Sequence, residues 1–204
     1  MAKEFTFNPA QQSSNTASKI VAALERLSEA FRVLMWQEAK QHGISSTIQV
    51  QLLTFLLHYP KEQKTITYLA EHFNLTKATI SDAVKTLEQK GYLKREVIPN
   101  DTRSHSLVLT KQGKSLAAKV EQFAQPMQKT IANIPSAQQA YLLEQLMEII
   151  YDLNCNDVIN VQHMCFNCNY YEQKSRGHYC QFVKKNLKAA DLRVECPEFL
   201  LAEA

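Results

Sequence analysis

Four of the five cysteines, Cys165, Cys168, Cys180 and Cys196, fall within the last 40 residues in a C-x2-C-x11-C-x15-C pattern. Two thiolates separated by two residues can converge on one metal, and two later cysteines complete a tetrahedral set. In a reducing compartment disulfides do not persist, so the pattern means metal ligation or free thiols. Four unconnected thiols are the bland reading, and the spacing argues against it. A dithiol redox pair at Cys165–Cys168 lacks the βαβ surroundings such pairs have. Cys155 is left over, either a helix-end thiol or a spare ligand, and His163 and His178 are near enough in sequence to replace a cysteine. Zinc satisfies four thiolates and would be structural. An iron–sulfur cluster, most simply of the 4Fe-4S type, satisfies them too. Phe166, Tyr170, Tyr171, Tyr179, Phe182 and Phe199 either shield such a cluster from solvent or supply the core a small module lacks. They tilt the choice toward the cluster, with zinc as the alternative.

A second constellation lies between Thr76 and Lys90. Ile80, Ala83, Val84 and Leu87 recur at helical spacing and define an inward face. Thr76, Lys77, Ala78, Thr79, Ser81 and Lys85 crowd the start and the opposite side. Short polar groups at a helix N-terminus let its backbone approach the major groove closely, and lysines neutralise phosphates. Arg103 follows in a turn-rich segment, where a guanidinium suits the narrow, electronegative minor groove. The bland readings are a solvated amphipathic helix and a turn arginine paired with Asp101. Amphipathicity alone would favour them; the turn, caps and hairpin around the helix favour DNA contact.

These side chains need a scaffold, and the chain supplies its signals. Ile20, Leu24, Leu27, Phe31 and Leu34 predict a helix over Ser18–His42, with Glu38 as a polar miss and Gly43 as its stop. A second helix, carrying Ile48, Leu52, Leu53, Phe55, Leu56 and Leu57, is apolar nearly all round and belongs in the core. Ser46 with Gln49 suggests a capping box at its start, and Pro60 ends it. A short helix over Thr65–Phe73 closes on Asn74, a residue that tolerates the left-handed conformation. Leu75 follows as a buried spacer, and Thr76 caps the helix Lys77–Lys90, which Gly91 ends. Two short helices joined in this way form a helix-turn-helix. Tyr92–Ile98 and Ser104–Leu109 read as a hairpin around Pro99, Asn100 and Asp101. Thr110 then caps a long helix to about Asn133, kinked at Pro126. Ser136 with Gln139 suggests another capping box, before a helix carrying Leu142, Leu143, Leu146, Ile149, Ile150 and Leu153.

The stretch TITYLAEHFNLTKATISDAVKTLEQKGYLKREVIPNDTRSHSLVLTKQGKSL resembles the winged-helix core of the multiple antibiotic resistance regulator (MarR) family. Its most specific part is NDTRSHSLVLTKQG, an Asp-x-Arg-Ser wing followed by a strand ending in Leu-Thr-x-x-Gly. The resemblance covers roughly Ile20 to Leu153. It implies an obligate homodimer joined through Ser18–His42 and Ser136–Leu153 and bound to a pseudo-palindromic operator. In that frame Thr76, Lys77, Thr79 and Ser81 read the major groove and Arg103 the minor groove. The tail lies outside the resemblance. Its CFNCNYY…GHYC…ECPEF string is similar in spacing to small proteins with a cubane iron–sulfur cluster, such as the high-potential iron–sulfur proteins.

The expected fold is mainly α with a small β wing (α+β). A flexible stretch over 1–17 and a winged-helix and dimerisation domain over 18–153 precede a cysteine-rich module over 154–204. Charge distribution agrees with nucleic acid as a partner. Lys64–Lys114 holds nine Lys/Arg against five Asp/Glu, a net +4, while the remainder holds 14 against 15, a net −1. No apolar run is long enough for a membrane span and the first residues carry no signal stretch, which places the protein in the cytoplasm. With four glycines, no nucleotide-binding Gly-rich loop and no catalytic acid–base pair, an enzyme is not expected. The leading expectation is a homodimeric regulator of transcription, most simply a repressor, tuned by its metal module through redox sensing. The rival is a winged-helix interaction adaptor stapled by zinc.

Overall fold

The computed structural model describes residues 5–9, 15–98, 101–174 and 177–202; Pro99 and Asn100, and the side chains of Ile98, Asp101, Thr102, Arg103 and Ser104, lie outside that description. The helices are α1 (Thr16–Gln41), α2 (Thr47–His58), α3 (Ile66–His72), α4 (Lys77–Gln89), α5 (Lys111–Val120), α6 (Gln125–Ala132) and α7 (Ser136–Cys155). The strands are β1 (Leu93–Ile98), β2 (Asp101–Leu109), β3 (Tyr171–Lys174), β4 (Gly177–Cys180) and β5 (Lys185–Leu187). Their contacts divide the chain into two units, 1–65 with 81–126, and 66–80 with 127–204. Among the described residues no helix is long and apolar enough to cross a membrane.

Four helices end by the same device. After α1, Gly43 takes φ +67° and donates to Lys40 O, while Ile44 donates to Ala39 O. This pair of bonds is a Schellman motif, and it satisfies carbonyls that the helix cannot. Asn74 (φ 53°) does the same after α3, Gly91 (φ 74°) after α4, and Asp157 (φ 56°) after α7. The first three are the expected stops. Helix starts are less regular. Asn15 caps α1 by accepting from Ser18 N, and Thr110 caps α5 by accepting from Gly113 N. Neither expected capping box forms. Gln49 accepts from the Ser45 amide and hydroxyl, leaving Ser46 without a capping bond. Pro135 occupies the cap of α7, and Gln139 donates to Ile134 O.

In the first unit the core is aliphatic but for Phe55. Val50, Leu52, Leu53, Phe55 and Leu56 of α2 are buried, as are Val84 and Leu87 of α4, Leu93, Leu107 and Leu109 of the hairpin, and Leu116, Ala117 and Val120 of α5. Strands β1 and β2 pair antiparallel, Leu93 opposite Leu109 and Val97 opposite His105, with a register shift at Val97/Ile98. Ser106 is fully buried despite its polar type, and its hydroxyl donates to Lys61 O. A Cβ built on Gly113 would stand 1.8 Å from Tyr92 O, so α5 can approach the hairpin's backbone only through a glycine there. Thr110 Oγ1 ties the same corner by donating to Gly91 O at 2.7 Å. The expected long helix from Thr110 is interrupted: a 3-10 stretch, Glu121–Ala124, separates α5 from α6 just before Pro126. The proline has no amide hydrogen to continue a regular ladder.

In the second unit α7 contributes Met147 to a small core with Met164 and Leu192, packed by Leu143, Ile150, Cys165, Phe166, Tyr171 and Leu187. A three-stranded antiparallel sheet in the order β3-β4-β5 builds the rest, with Tyr171 opposite Cys180 and Cys180 opposite Lys185. The C-terminal end returns to pair Cys168 with Leu201.

Candidate functional site: an exposed helix start and a four-cysteine pocket

Helix α4 presents the expected division of faces. Ile80, Ala83, Val84 and Leu87 are buried, while Thr76, Lys77, Ala78, Thr79, Asp82 and Lys85 are exposed and Ser81 is half-buried. Thr76 Oγ1 accepts from Thr79 N at 3.1 Å and shares a bond with Thr79 Oγ1 at 2.9 Å, so the two threonines fix the first turn together. The cap satisfies a helix-end amide and leaves the outer surface of that turn open. One expectation fails here. Leu75 is not a buried spacer but 39% exposed. The preceding turn is held by backbone bonds to Glu71 O and Ala70 O, which need no apolar anchor at that position. Arg103 sits in β2, but its side chain lies outside the described residues.

The four tail cysteines meet around one partly open cavity of about 300 Å³. Cys165 and Cys168 reach it from a 3-10 turn, Cys180 from the end of β4, and Cys196 from the loop after Arg193. Tyr170, Tyr171, Phe182, Val183 and Leu187 supply apolar wall. Burial raises the Cys165 thiol above its ordinary value, the Arg193 amide opposes this, and the other three cysteines raise it further. Burial raises Cys196 likewise, against the pull of Glu198's backbone and Arg193.

Arg193 was not legible as a site residue. Its amide donates to Cys165 Sγ at 3.2 Å, and its guanidinium reaches Cys196 Sγ at 3.7 Å and Glu198 Oε2 at 2.8 Å. Hydrogen bonds and positive charge at ligand sulfurs are what stabilise thiolates around a metal. Its place three residues before Cys196 is the only sequence cue, and spacing alone gives an arginine there no role.

The spare candidates are engaged elsewhere. Cys155 ends α7, exposed, beside Tyr151. His178 is buried between Glu144 Oε1 at 3.1 Å and Tyr171 Oη at 2.7 Å, outside the cavity wall. His163 faces Tyr68 and stacks on Phe199. Of the six aromatics expected to crowd the ligands, Tyr170, Tyr171 and Phe182 line the cavity. Phe166 packs with the methionine core, and Tyr179 carries Lys174 over its ring at 3.6 Å.

Four thiols fit a metal centre by type, and Arg193 fits its electrostatics. Four sulfurs bonded tetrahedrally to one zinc at about 2.3 Å would stand about 3.8 Å apart and leave no cavity between them. Among the described residues no three His, Cys, Asp or Glu side chains converge closely enough to hold a single ion.

Comparison with known proteins bears on the rest of the chain. The sequence model of the MarR family matches residues 42–104. No curated protein sequence matches. The S. aureus MepR–DNA complex is 21% identical, with a TM-score of 0.59 over 65% of this chain and 97% of that one. Sco3205 from Streptomyces coelicolor, a MarR family transcriptional regulator solved in complex with DNA, is 20% identical, with a TM-score of 0.56 over 68% of this chain and 91% of that one. A MarR transcriptional regulator from Methanosarcina mazei Go1 is 21% identical, with a TM-score of 0.57 over 69% of this chain and 98% of that one. The chain therefore carries the winged-helix fold of the MarR regulators, matched in sequence over residues 42–104 and in structure over about two thirds of its length.

Proposed function

We propose that the protein is a DNA-binding transcription regulator, acting as a homodimeric repressor, whose four-cysteine pocket holds an iron–sulfur cluster that tunes operator binding. One observation carries the DNA reading: the start of α4 is capped internally by Thr76 and Thr79 yet exposed on its outer side. Thr79 and Ser81 offer hydrogen bonds to base edges, and Lys77 and Lys85 offer charge to phosphates. The relatives support this, since MepR and Sco3205 are solved with DNA. Arg103 is assigned to the minor groove on its place in the hairpin sequence.

Dimerisation is supported by two apolar stripes of the same spacing. Ile20, Leu27 and Phe31 on α1 are exposed, as are Leu142, Ile149 and Leu153 on α7. Helix stripes of this size need a partner, and a two-fold pair of regulators presents two α4 helices to successive half-sites. In the tail Cys165, Cys168, Cys180 and Cys196 would hold the cluster, with Arg193 bonding two of the sulfurs. When bound, such a group supplies a state, present or absent, oxidised or reduced, to which the protein can respond.

The test is selection of duplexes from a random pool by the purified chain, followed by footprinting. Protection of two half-sites one helical turn apart is expected. Absence of any preferred duplex contradicts the reading.

A further inference from the structure

Between α7 and the first ligand, Cys165, runs a segment that touches the helix-turn-helix at two places. Asn160 N donates to Asn74 Oδ1 at 2.6 Å, and Asn160 Nδ2 donates to Glu71 O at 2.8 Å. Asn74 is the left-handed residue that turns the chain from α3 toward α4, and Glu71 O is the carbonyl its own amide bonds. Three residues on, His163 Nδ1 and Tyr68 Oη of α3 share a bond at 2.9 Å, their rings meeting edge to face.

His163 is equally bound to the thiol site. Cys196 N donates to His163 O at 2.9 Å, Glu195 Oε1 lies 3.6 Å from His163 Nδ1, and Phe199 stacks on the imidazole at 4.5 Å. Cys165 follows two residues later. The segment whose backbone helps position two of the four sulfurs is thus the segment whose residues hold Tyr68 and Asn74. All of these residues lie in one contact unit, 66–80 with 127–204.

We infer that segment Asn160–His163 is the link through which filling of the four-cysteine pocket sets the order of the turn between α3 and α4, and so operator affinity. This rests on the proposed metal site and DNA reading, and it names the path between them. Filling the site draws four sulfurs onto one group and fixes Cys165 and Cys196; His163 and Asn160 are fixed with them, and the turn before Thr76 is ordered. Emptying it frees the Cys196 loop and relaxes the same bonds. A ligand shifts an equilibrium only by its differential affinity for the two states, so this coupling is reciprocal: duplex binding must also tighten metal retention by the same factor.

The experiment uses the full chain, metal-free and after anaerobic reconstitution with ferrous iron and sulfide, with zinc in parallel. Amide exchange at residues 66–80 should slow on filling, and affinity for a selected duplex should change by at least about fivefold, the lower end of ordinary allosteric coupling. In Tyr68→Phe combined with Asn160→Ala and Asn74→Gly, which removes all three bonds while glycine keeps the left-handed turn, metal content and visible spectrum should match the wild type while the affinity ratio falls to near one and exchange at 66–80 no longer responds. A triple variant that keeps the wild-type ratio overturns the link. So does a wild-type chain that takes up metal with no change in exchange at 66–80. A chain that takes up no metal overturns the metal site, and the inference with it. One that takes up metal, shows the exchange response and binds no duplex upholds the link to the turn and contradicts only the DNA reading.

Discussion

The winged-helix core and the cysteine-rich end solve the same problem by different means. Around α2, α4, α5 and the hairpin, large aliphatic side chains such as Leu52, Leu53, Leu87 and Leu107 are removed from water completely. Each contributes about 1.5–3 kcal/mol of burial, which sums to an ordinary core. The region formed by α7 and the residues after it has a core of three fully or nearly fully buried side chains, Met147, Met164 and Leu192, and surrounds a cavity with thiols. So small a core calls for a staple, and metal held by the four cysteines is the staple proposed for it. One region is folded by its own burial; for the other, the proposed metal would supply what burial lacks.

That contrast can be broken in order of expected size. Cys168→Ser should abolish metal binding and raise amide exchange throughout 165–196, with residues 47–58 and 107–120 unaffected; equal metal in the variant by elemental analysis would end the contrast. Leu87→Ala should do the reverse. A cavity at a fully buried leucine costs about 2–5 kcal/mol, read as a lower denaturant midpoint, with metal content per folded chain unchanged. Gly113→Ala should cost about 1–3 kcal/mol, because its methyl meets the Tyr92 carbonyl; a neutral effect would show that α5 can move away from the hairpin.

Acid offers a milder probe. Burial lowers the His72 imidazole to about 4, with His163 adding to the effect. The unfolded chain then binds this proton first, near its ordinary value, so stability is held above about pH 6.5 and lost as pH falls toward 4. The loss due to this group should be at most about 2 kcal/mol, allowing for the solvent that reaches it. His72→Gln should flatten the decline; an unaltered profile places the acid sensitivity elsewhere. Smallest is Thr76→Ala, about 1 kcal/mol through its lost cap.

Much of the scaffold could be read from residues because its signals are local. Gly43, Asn74 and Gly91 stop helices through their own backbone freedom, and Thr76 and Thr110 cap through bonds three residues long. The errors arose where a side chain had competing partners. Gln49 and Gln139 had the right spacing for capping boxes but bonded Ser45 and Ile134 instead. Ser106 is polar by type, yet a carbonyl at Lys61 satisfies it inside. The four cysteines were evident as a set, but Arg193 and the Tyr68–His163 bond were not. The latter joins residues 95 apart, and no periodicity encodes such a meeting.

A DNA-binding role for α4 requires its exposed lysines to meet phosphates. Duplex affinity measured across a range of salt concentrations tests this directly, with the wild type set against Lys77→Ala combined with Lys85→Ala. Two lost phosphate contacts should weaken binding at low salt and make the log–log slope shallower by about two. Superimposable slopes would mean that this helix does not face DNA.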